Sequence, residues 1–398
     1  MDFDYTEDQT LLRDMVGQFG KDSVEPVLTE MDESERIPET LLRRMADLGL
    51  FGLAVPESFG GSGVPLLTQV VVAEALGRVS ASLAATAVYD GFLLPALLDA
   101  CGDEGQKRRW LPGIASGETL GTVKIGAVSL EDRPDDAGDD GPPGAMIRAA
   151  PEGESWRLEG EADWVVNGRD AAVGAVFAST GDGVEAFLVN PAEAGVESEP
   201  ITGKLGLRPL GFARWSFAEC AVDGADKLET CGPDSGGGND VRRGLRLLSN
   251  LFLAAASVGL IQAGLEVAGG YAKERKQFGR PIGGFQLVQE MIAGMVFDVE
   301  AARLLVYRAA ADAQGLGLRL DDSTAPIARA RSFAAEAALK AGTQAVQVHG
   351  GYGFSSEFPA ERIFRDARAL ALMAGGSGEL LRLSAEPILK EALPQWGG

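Results

Sequence analysis

The stretch "LLSNLFLAAASVGLIQAGL", residues 247–265, constrains this chain more than any other. It carries no charge and is about long enough to cross a bilayer. Ser249, Asn250, Ser257 and Gln262 interrupt it, and alanine and glycine fill much of the rest. A helix apolar all round but seeded with small and polar residues packs against other helices on every side. The chain therefore has to supply those neighbours.

Periodicity supplies them. Apolar spacing predicts long helices over 241–274, 286–315, 324–349 and 377–392. The first 120 residues also read as helices. "TEDQTLLRDMVGQF" opens with a capping box from Thr6 to Gln9. "IPETLLRRMADLGL" has Pro38 at a helix start and Gly49 at its end. "LTQVVVAEALGRVS" and "SLAATAVYDGFLLPALLDA" are two more apolar helices, and "VPESFGGSG" (55–63) is a loop. Between the two helical regions the texture becomes β. "WRLEGEADWVVNG", "AAVGAVFAST", "VEAFLVNP" and "ARWSFAECAV" are separated by Gly, Asp, Asn and Pro turns. "LEDRPDDAGDDGPPG" (130–144) reads as a solvated loop, and "CGPDSGGGND" (231–240) as a link. The expected organisation is an α+β chain in three parts: helical (1–120), β (121–235) and helical (236–398).

Charge narrows the function. The net charge is −22, with nine lysines among the 36 basic residues, which opposes binding to nucleic acid or to an anionic membrane surface. Cys101, Cys220 and Cys231 are too few and too irregular for a disulfide framework, and one histidine, His349, cannot build a His-ligated metal site. No metal is expected. The acidic start "MDFDYTEDQ" does not suit a signal peptide, so the expected location is cytoplasmic.

The glycine pairs in "QVHGGYG" and "GGSG" do not open a helix after a strand, so neither is a nucleotide-binding fingerprint. In context they point elsewhere. "YAKERKQFGRPIGGFQLVQ" (271–289) and "QAVQVHGGYGFSSEFPAERIFRDA" (344–367) resemble the two signature regions of the acyl-CoA dehydrogenase family. "LGLFGLAVPESFGGSG", "GDEGQKRRWLPGIASGE" and "WVVNG" match further family positions in the same order. The resemblance spans nearly the whole chain. It implies an N-terminal helical domain, a middle β-barrel-like domain and a C-terminal four-helix bundle. It also implies FAD, acyl-CoA thioester substrates, tetramers, and electron-transferring flavoprotein as the usual acceptor.

Residue by residue, the resemblance assigns Arg275, Gln277, Phe278, Gln286, Gln347, Gly350 and Gly351 to the adenosine-diphosphate half of FAD, bound mainly by a neighbouring subunit. The chemistry suits them. A guanidinium such as Arg275, ending a helix beside Gln277, can hold a pyrophosphate through paired hydrogen bonds. Phe278 can lie along an adenosine, and the glycines let backbone approach a cofactor. Trp164 matches the tryptophan that packs beside the flavin, where an aromatic excludes water; the competing reading is an ordinary core tryptophan.

Three departures fall on the chemical side. The flavin-contacting "TEPGAGSD"-like loop is "VKIGAVSLEDRPD" (123–135) here. Val166 stands where a hydroxyl usually meets flavin N5, so two sources of hydrogen bonds that tune the cofactor are gone. The base-bearing "YEGTSEIQRL" is "ALMAGGSGELLRL", which puts Ala374 or Gly375 at the glutamate; the alignment leaves both open. The alternative base position and its arginine are Ser249 and Asn250. A lost general base is worth about 10²–10⁴ in rate. His349, on the adenosine side, and Asp366, expected to pair with an arginine, are poor substitutes.

The losses lie on one side and the retained motif on the other, as in a non-catalytic partner subunit. Some family members resemble this: heteromers in which one chain supplies the base and the other completes the FAD site, several acting on steroid side chains. The expected function is α,β-dehydrogenation of an acyl-CoA by a heterotetramer with a homologous glutamate-bearing subunit. The alternative is a homomeric flavoenzyme of changed chemistry, oxidising a carrier-bound acyl group or activating oxygen.

Overall fold

The computed structural model describes residues 4–126, 147–181, 183–228, 238–375 and 377–390. The acidic loop 130–144, Cys231, and most of the expected flavin-side loop and of the 231–240 link lie outside the described residues.

The chain begins with helices α1 (Glu7–Phe19), α2 (Leu28–Ser34), α3 (Glu39–Asp47), α4 (Leu66–Val79), α5 (Ala81–Ala87), α6 (Leu94–Cys101) and α7 (Glu104–Ala115). Side-chain chemistry sets their ends. Thr6 accepts from the Gln9 N–H while the Gln9 amide oxygen accepts from Thr6, and Asp103 and Gln106 repeat that box before α7. Between α5 and α6 the helix widens into a π turn over Val88–Leu93. Pro95 follows at once; it has no N–H to continue the α-helical ladder, and the wider turn absorbs that loss.

The sheet comprises β1 (Gly121–Lys124), β2 (Ile147–Glu152), β3 (Ser155–Val165), β4 (Val173–Thr180), β5 (Gly183–Val189), then the short α8 (Pro191–Ala194), β6 (Glu197–Pro200), β7 (Ala213–Asp223) and β8 (Lys227–Leu228). It is one mixed sheet in the order β6-β7-β3-β2-β4-β5-β8. Both β1 and β2 run parallel to β4, β1 along its first half and β2 along its last residues. Trp215 on β7 is fully buried in this sheet's own core, and its indole N–H donates to the Gly168 carbonyl at 2.9 Å.

The second helical region holds α9 (Gly238–Glu274), a hairpin of β9 (Lys276–Gln277) and β10 (Arg280–Pro281), then α10 (Gln286–Asp312), α11 (Thr324–His349), α12 (Ala360–Leu372) and α13 (Ser377–Lys390). The expected four long helices are present, with α12 lying between the third and fourth. α9 contains the uncharged run and is 37 residues long. Residues 247–261 are all buried, so α9 is long and apolar enough to cross a membrane yet is covered by its own protein. Gly77 on α4 and Gly259 on α9 let these two helices meet backbone to backbone; a Cβ on Gly77 would stand 2.3 Å from the Ala256 carbonyl oxygen. One hydrophobic core runs through both helical regions, so the first and third parts of the chain pack as a unit with the sheet against it.

The junction of all three parts is charged. Arg365 on α12 holds both Asp32 (2.7 and 3.2 Å) and Glu361 (2.6 and 3.0 Å). Asp366 does not pair with an arginine, as was expected of an Arg–Asp dipeptide. Adjacent helix residues project in different directions, so Arg365 reaches α2 while buried Asp366 accepts the Leu207 N–H at 2.7 Å.

Candidate functional site

A cavity of about 450 Å³ lies where α9, the hairpin and α11 meet. Tyr271, Arg275, Gln277, Ile282, His349 and Gly351 are among its lining residues, with Gly350 and Tyr352 at the edge of the following turn. The local fold explains the grouping. α9 stops at Glu274, so Arg275 and Gln277 do not end a helix as expected; they lead into the hairpin, where Gln277 pairs with Arg280. The Ile282 N–H donates to the Arg275 carbonyl at 2.8 Å, which closes the hairpin back onto α9. α11 ends where Gly350 takes φ +59° and ψ −135°, a conformation open to glycine and costly for other residues.

Aromatic contacts shape the wall. His349 stacks on Tyr271, with ring centres 4.1 Å apart, and its Nδ1–H donates to the Ala345 carbonyl at 2.8 Å. Burial lowers the His349 pKa, partly offset by the hydrogen bond to that carbonyl. The Arg275 guanidinium sits 5.3 Å from the centre of the Tyr352 ring. A guanidinium, an amide and open glycine backbone on one concave face are the donor set an anionic diphosphate requires. The residues present thus fit the adenosine-diphosphate half of FAD.

Four of the other sequence-assigned residues stand apart from this cavity. Gln286 and Gln347 are exposed and do not line it. Phe278 is 93% exposed at φ +52°, its ring edge-on to Phe285. Trp164 is on β3, in the sheet. It is not a core tryptophan: a register shift between Ala162 and Val165 and a φ of +56° turn it outward, 55% exposed and edge-on to Phe212. Beside it, the Lys124 ammonium donates to the Asp163 carbonyl, and burial lowers the Lys124 pKa against the pull of Asp163. Val166 is buried, and its carbonyl accepts from the Thr122 hydroxyl.

The loop that holds one candidate base position lies against α9 beside the residue of the other. Asn250 Nδ2 donates to the Ala374 carbonyl at 3.4 Å and to the Arg246 carbonyl at 2.9 Å. Neighbouring Ser249, fully buried, shares a 3.3 Å hydrogen bond with the Tyr89 hydroxyl. Sequence reasoning missed the three charged residues that organise this loop. Arg246 Nε donates to the Ala374 carbonyl at 3.1 Å, and its Nη2 holds Glu379 at 2.6 Å. Arg331 Nη2 donates to the Leu370 and Met373 carbonyls at 2.6 and 3.4 Å. Burial pulls the Arg331 pKa down to about 10, which still leaves it charged at neutral pH. The carbonyls left over at the end of α12 are thus met by cations, the sign a helix C-terminus favours. The arginines preceding the uncharged run in "VRRGLRLLSN" were the available signal, because a charge carried into a core needs a partner.

The sequence pattern of the acyl-CoA dehydrogenase N-terminal domain matches residues 6–118, and that of the C-terminal domain matches residues 248–389. The chain belongs to the acyl-CoA dehydrogenase family. It is 32% identical over 383 residues to the short-chain specific acyl-CoA dehydrogenase of Clostridium acetobutylicum, covering 95% of this chain and 97% of that one. With the glutaryl-CoA dehydrogenase of Desulfococcus multivorans it shares 33% identity over 390 residues, 95% of each chain. Butyryl-CoA dehydrogenase of Megasphaera elsdenii superposes with a TM-score of 0.86 at 27% identity, over 98% of this chain and all of that one. Acyl-CoA dehydrogenases are FAD-dependent oxidoreductases, and this member has their fold: helical domain, central sheet, helical domain. Among its described residues no group of three or more His, Cys, Asp or Glu is arranged to hold a metal ion.

Proposed function

We propose that this acyl-CoA dehydrogenase-family chain is the base-lacking subunit of a heteromeric flavoenzyme, completing the FAD site of a homologous partner that carries the glutamate. One observation carries the reading: the loop with Ala374 and Gly375 lies against Arg246 and Asn250 of α9, next to Ser249, and the carboxylate bonded into that cluster, Glu379, is held by Arg246. That carboxylate oxygen is already engaged as the acceptor of a charge-assisted bond inside the chain. The adenosine-side cavity, by contrast, keeps its donors.

When bound, FAD accepts the electron pair removed from the acyl group. Arg275 and Gln277 would hold its pyrophosphate, with Gly350 and Gly351 admitting it close to the backbone. Half-exposed Trp164 would keep water from a flavin face. The substrate in this reading is an acyl-CoA thioester, with bulky or steroid side chains as the favoured acyl groups. Electron-transferring flavoprotein as acceptor and a cytoplasmic setting belong to the same proposal.

The test is flavin stoichiometry. Purified alone, the chain should carry little FAD; co-purified with a glutamate-bearing partner, it should give a fully flavinylated complex. A yellow, stoichiometrically loaded homotetramer that turns over unaided would replace this reading with the homomeric one.

A further inference from the structure

We propose that Arg246, held by Glu379, occupies the volume a side chain would need at position 375, so that this half-site is closed against a restored base and not merely lacking one. The functional meaning rests on the subunit reading above; the steric claim does not.

Gly375 has φ +106°, and a Cβ built on it would lie 2.0 Å from Arg246 Nη2 and 3.0 Å from Cζ. Such a clash is cheap when the opposing atom ends a loose side chain. Here it does not. The guanidinium is fixed by the Ala374 carbonyl at 3.1 Å and the Glu379 carboxylate at 2.6 Å, and both side chains of that pair are largely buried. Its backbone is anchored on α9, where Asn250 Nδ2 bonds both the Arg246 carbonyl and the Ala374 carbonyl. On the other side, Arg331 binds the Leu370 and Met373 carbonyls, which holds the chain entering the loop. Moving Arg246 aside would strip Glu379 and the Ala374 carbonyl of a charged partner in a mostly dry setting. Position 374 differs. Ala374 already carries a Cβ at φ +58°, so a longer residue there meets the left-handed backbone cost common to non-glycine residues. The two alignments left open by the sequence are thus not physically equivalent: position 374 already holds a Cβ, whereas at 375 even a Cβ meets Arg246.

A double-mutant cycle on the full-length chain tests this. The variants are Gly375→Ala, Arg246→Ala and the pair, with unfolding constants measured in urea. The left-handed φ cost appears on both sides of the cycle and cancels, as does the cost of removing the Arg246–Glu379 bond. If Arg246 fills the space, Gly375→Ala raises the unfolding constant at least tenfold more in the wild-type background than beside Arg246→Ala. Costs that agree within twofold overturn the proposal. Should Gly375→Ala fail to fold, recovery of folding on adding Arg246→Ala supports the claim, and no recovery overturns it. The cycle reads stability alone. A flavin-loaded homotetramer would therefore remove the subunit reading and leave this result standing, and an additive cycle would do the reverse.

Discussion

Asp366 Oδ1 accepts the Leu207 backbone N–H at 2.7 Å, tying α12 to the loop that enters β7 through one buried carboxyl. Burial pushes the Asp366 pKa up to about 6; the Leu207 N–H, Arg362 and Arg365 act against this, while Asp32 raises it further. The ordinary value is 3.8, so the folded state holds this proton more tightly than the unfolded one. Stability from this group is therefore fully present below pH 4 and declines as pH rises to about 6. Each pKa unit corresponds to about 1.4 kcal/mol.

Asp366→Asn keeps an acceptor for Leu207 and removes the charge. Relative to wild type, the variant should gain stability between pH 4 and pH 6 and hold that gain above. Urea midpoints across this range give the measurement; parallel curves for the two proteins contradict the assignment.

The two tryptophans offer a contrast. Trp215→Ala empties a buried site and should cost about 3–5 kcal/mol. Trp164→Ala removes a half-exposed ring with one edge contact and should cost about 1 kcal/mol or less. Chemical denaturation of the two variants side by side tests the claim that Trp164 is presented and not stored in a core.

Gly77→Ala would drive a methyl into the Ala256 carbonyl where α4 crosses α9. Overpacking of this kind costs about 1–3 kcal/mol. The urea midpoint should fall without a change in slope. An unchanged midpoint means that the helices do not meet this closely.

Arg275→Ala should weaken FAD retention in the complex with a glutamate-bearing partner. A hydrogen bond to a charged group is worth about 1.5–3 kcal/mol, so the flavin dissociation constant should rise roughly tenfold to a hundredfold. Arg275→Lys should recover little of it, because an ammonium cannot form the paired bonds. Equal flavin retention in both variants and wild type would remove Arg275 from the site.

Much of this was legible in the sequence, and the exceptions have local causes. The order of helices, sheet and helices followed from periodicity, and the capping box at Thr6 appeared where its residues announced it. Arg275, Gln277, Gly350 and Gly351 were named as one group and do share a cavity. Gln286 and Gln347, which the motif groups with them, are exposed and not among the cavity's lining residues; a motif read along the chain does not say which face of a helix each residue takes. Phe278 and Trp164 owe their exposure to positive φ angles that their residue types do not advertise. The arginine clamp on residues 370–374 joins residues far apart in sequence, and no local pattern encodes such a pairing.

Helix α9 carries both Ser249 and Tyr271. At 1.5 Å per residue the helix sets them about 33 Å apart. The end that lines the diphosphate cavity and the end beside the loop at 374–375 are therefore opposite ends of one rod. In the proposed complex each end of the rod would belong to a different joint between chains. Damage at one end should leave the other fit for use, so that two chains broken at opposite ends could together assemble an intact centre. Dilution, which parts chains without unfolding them, is then a sharper probe of activity than heat.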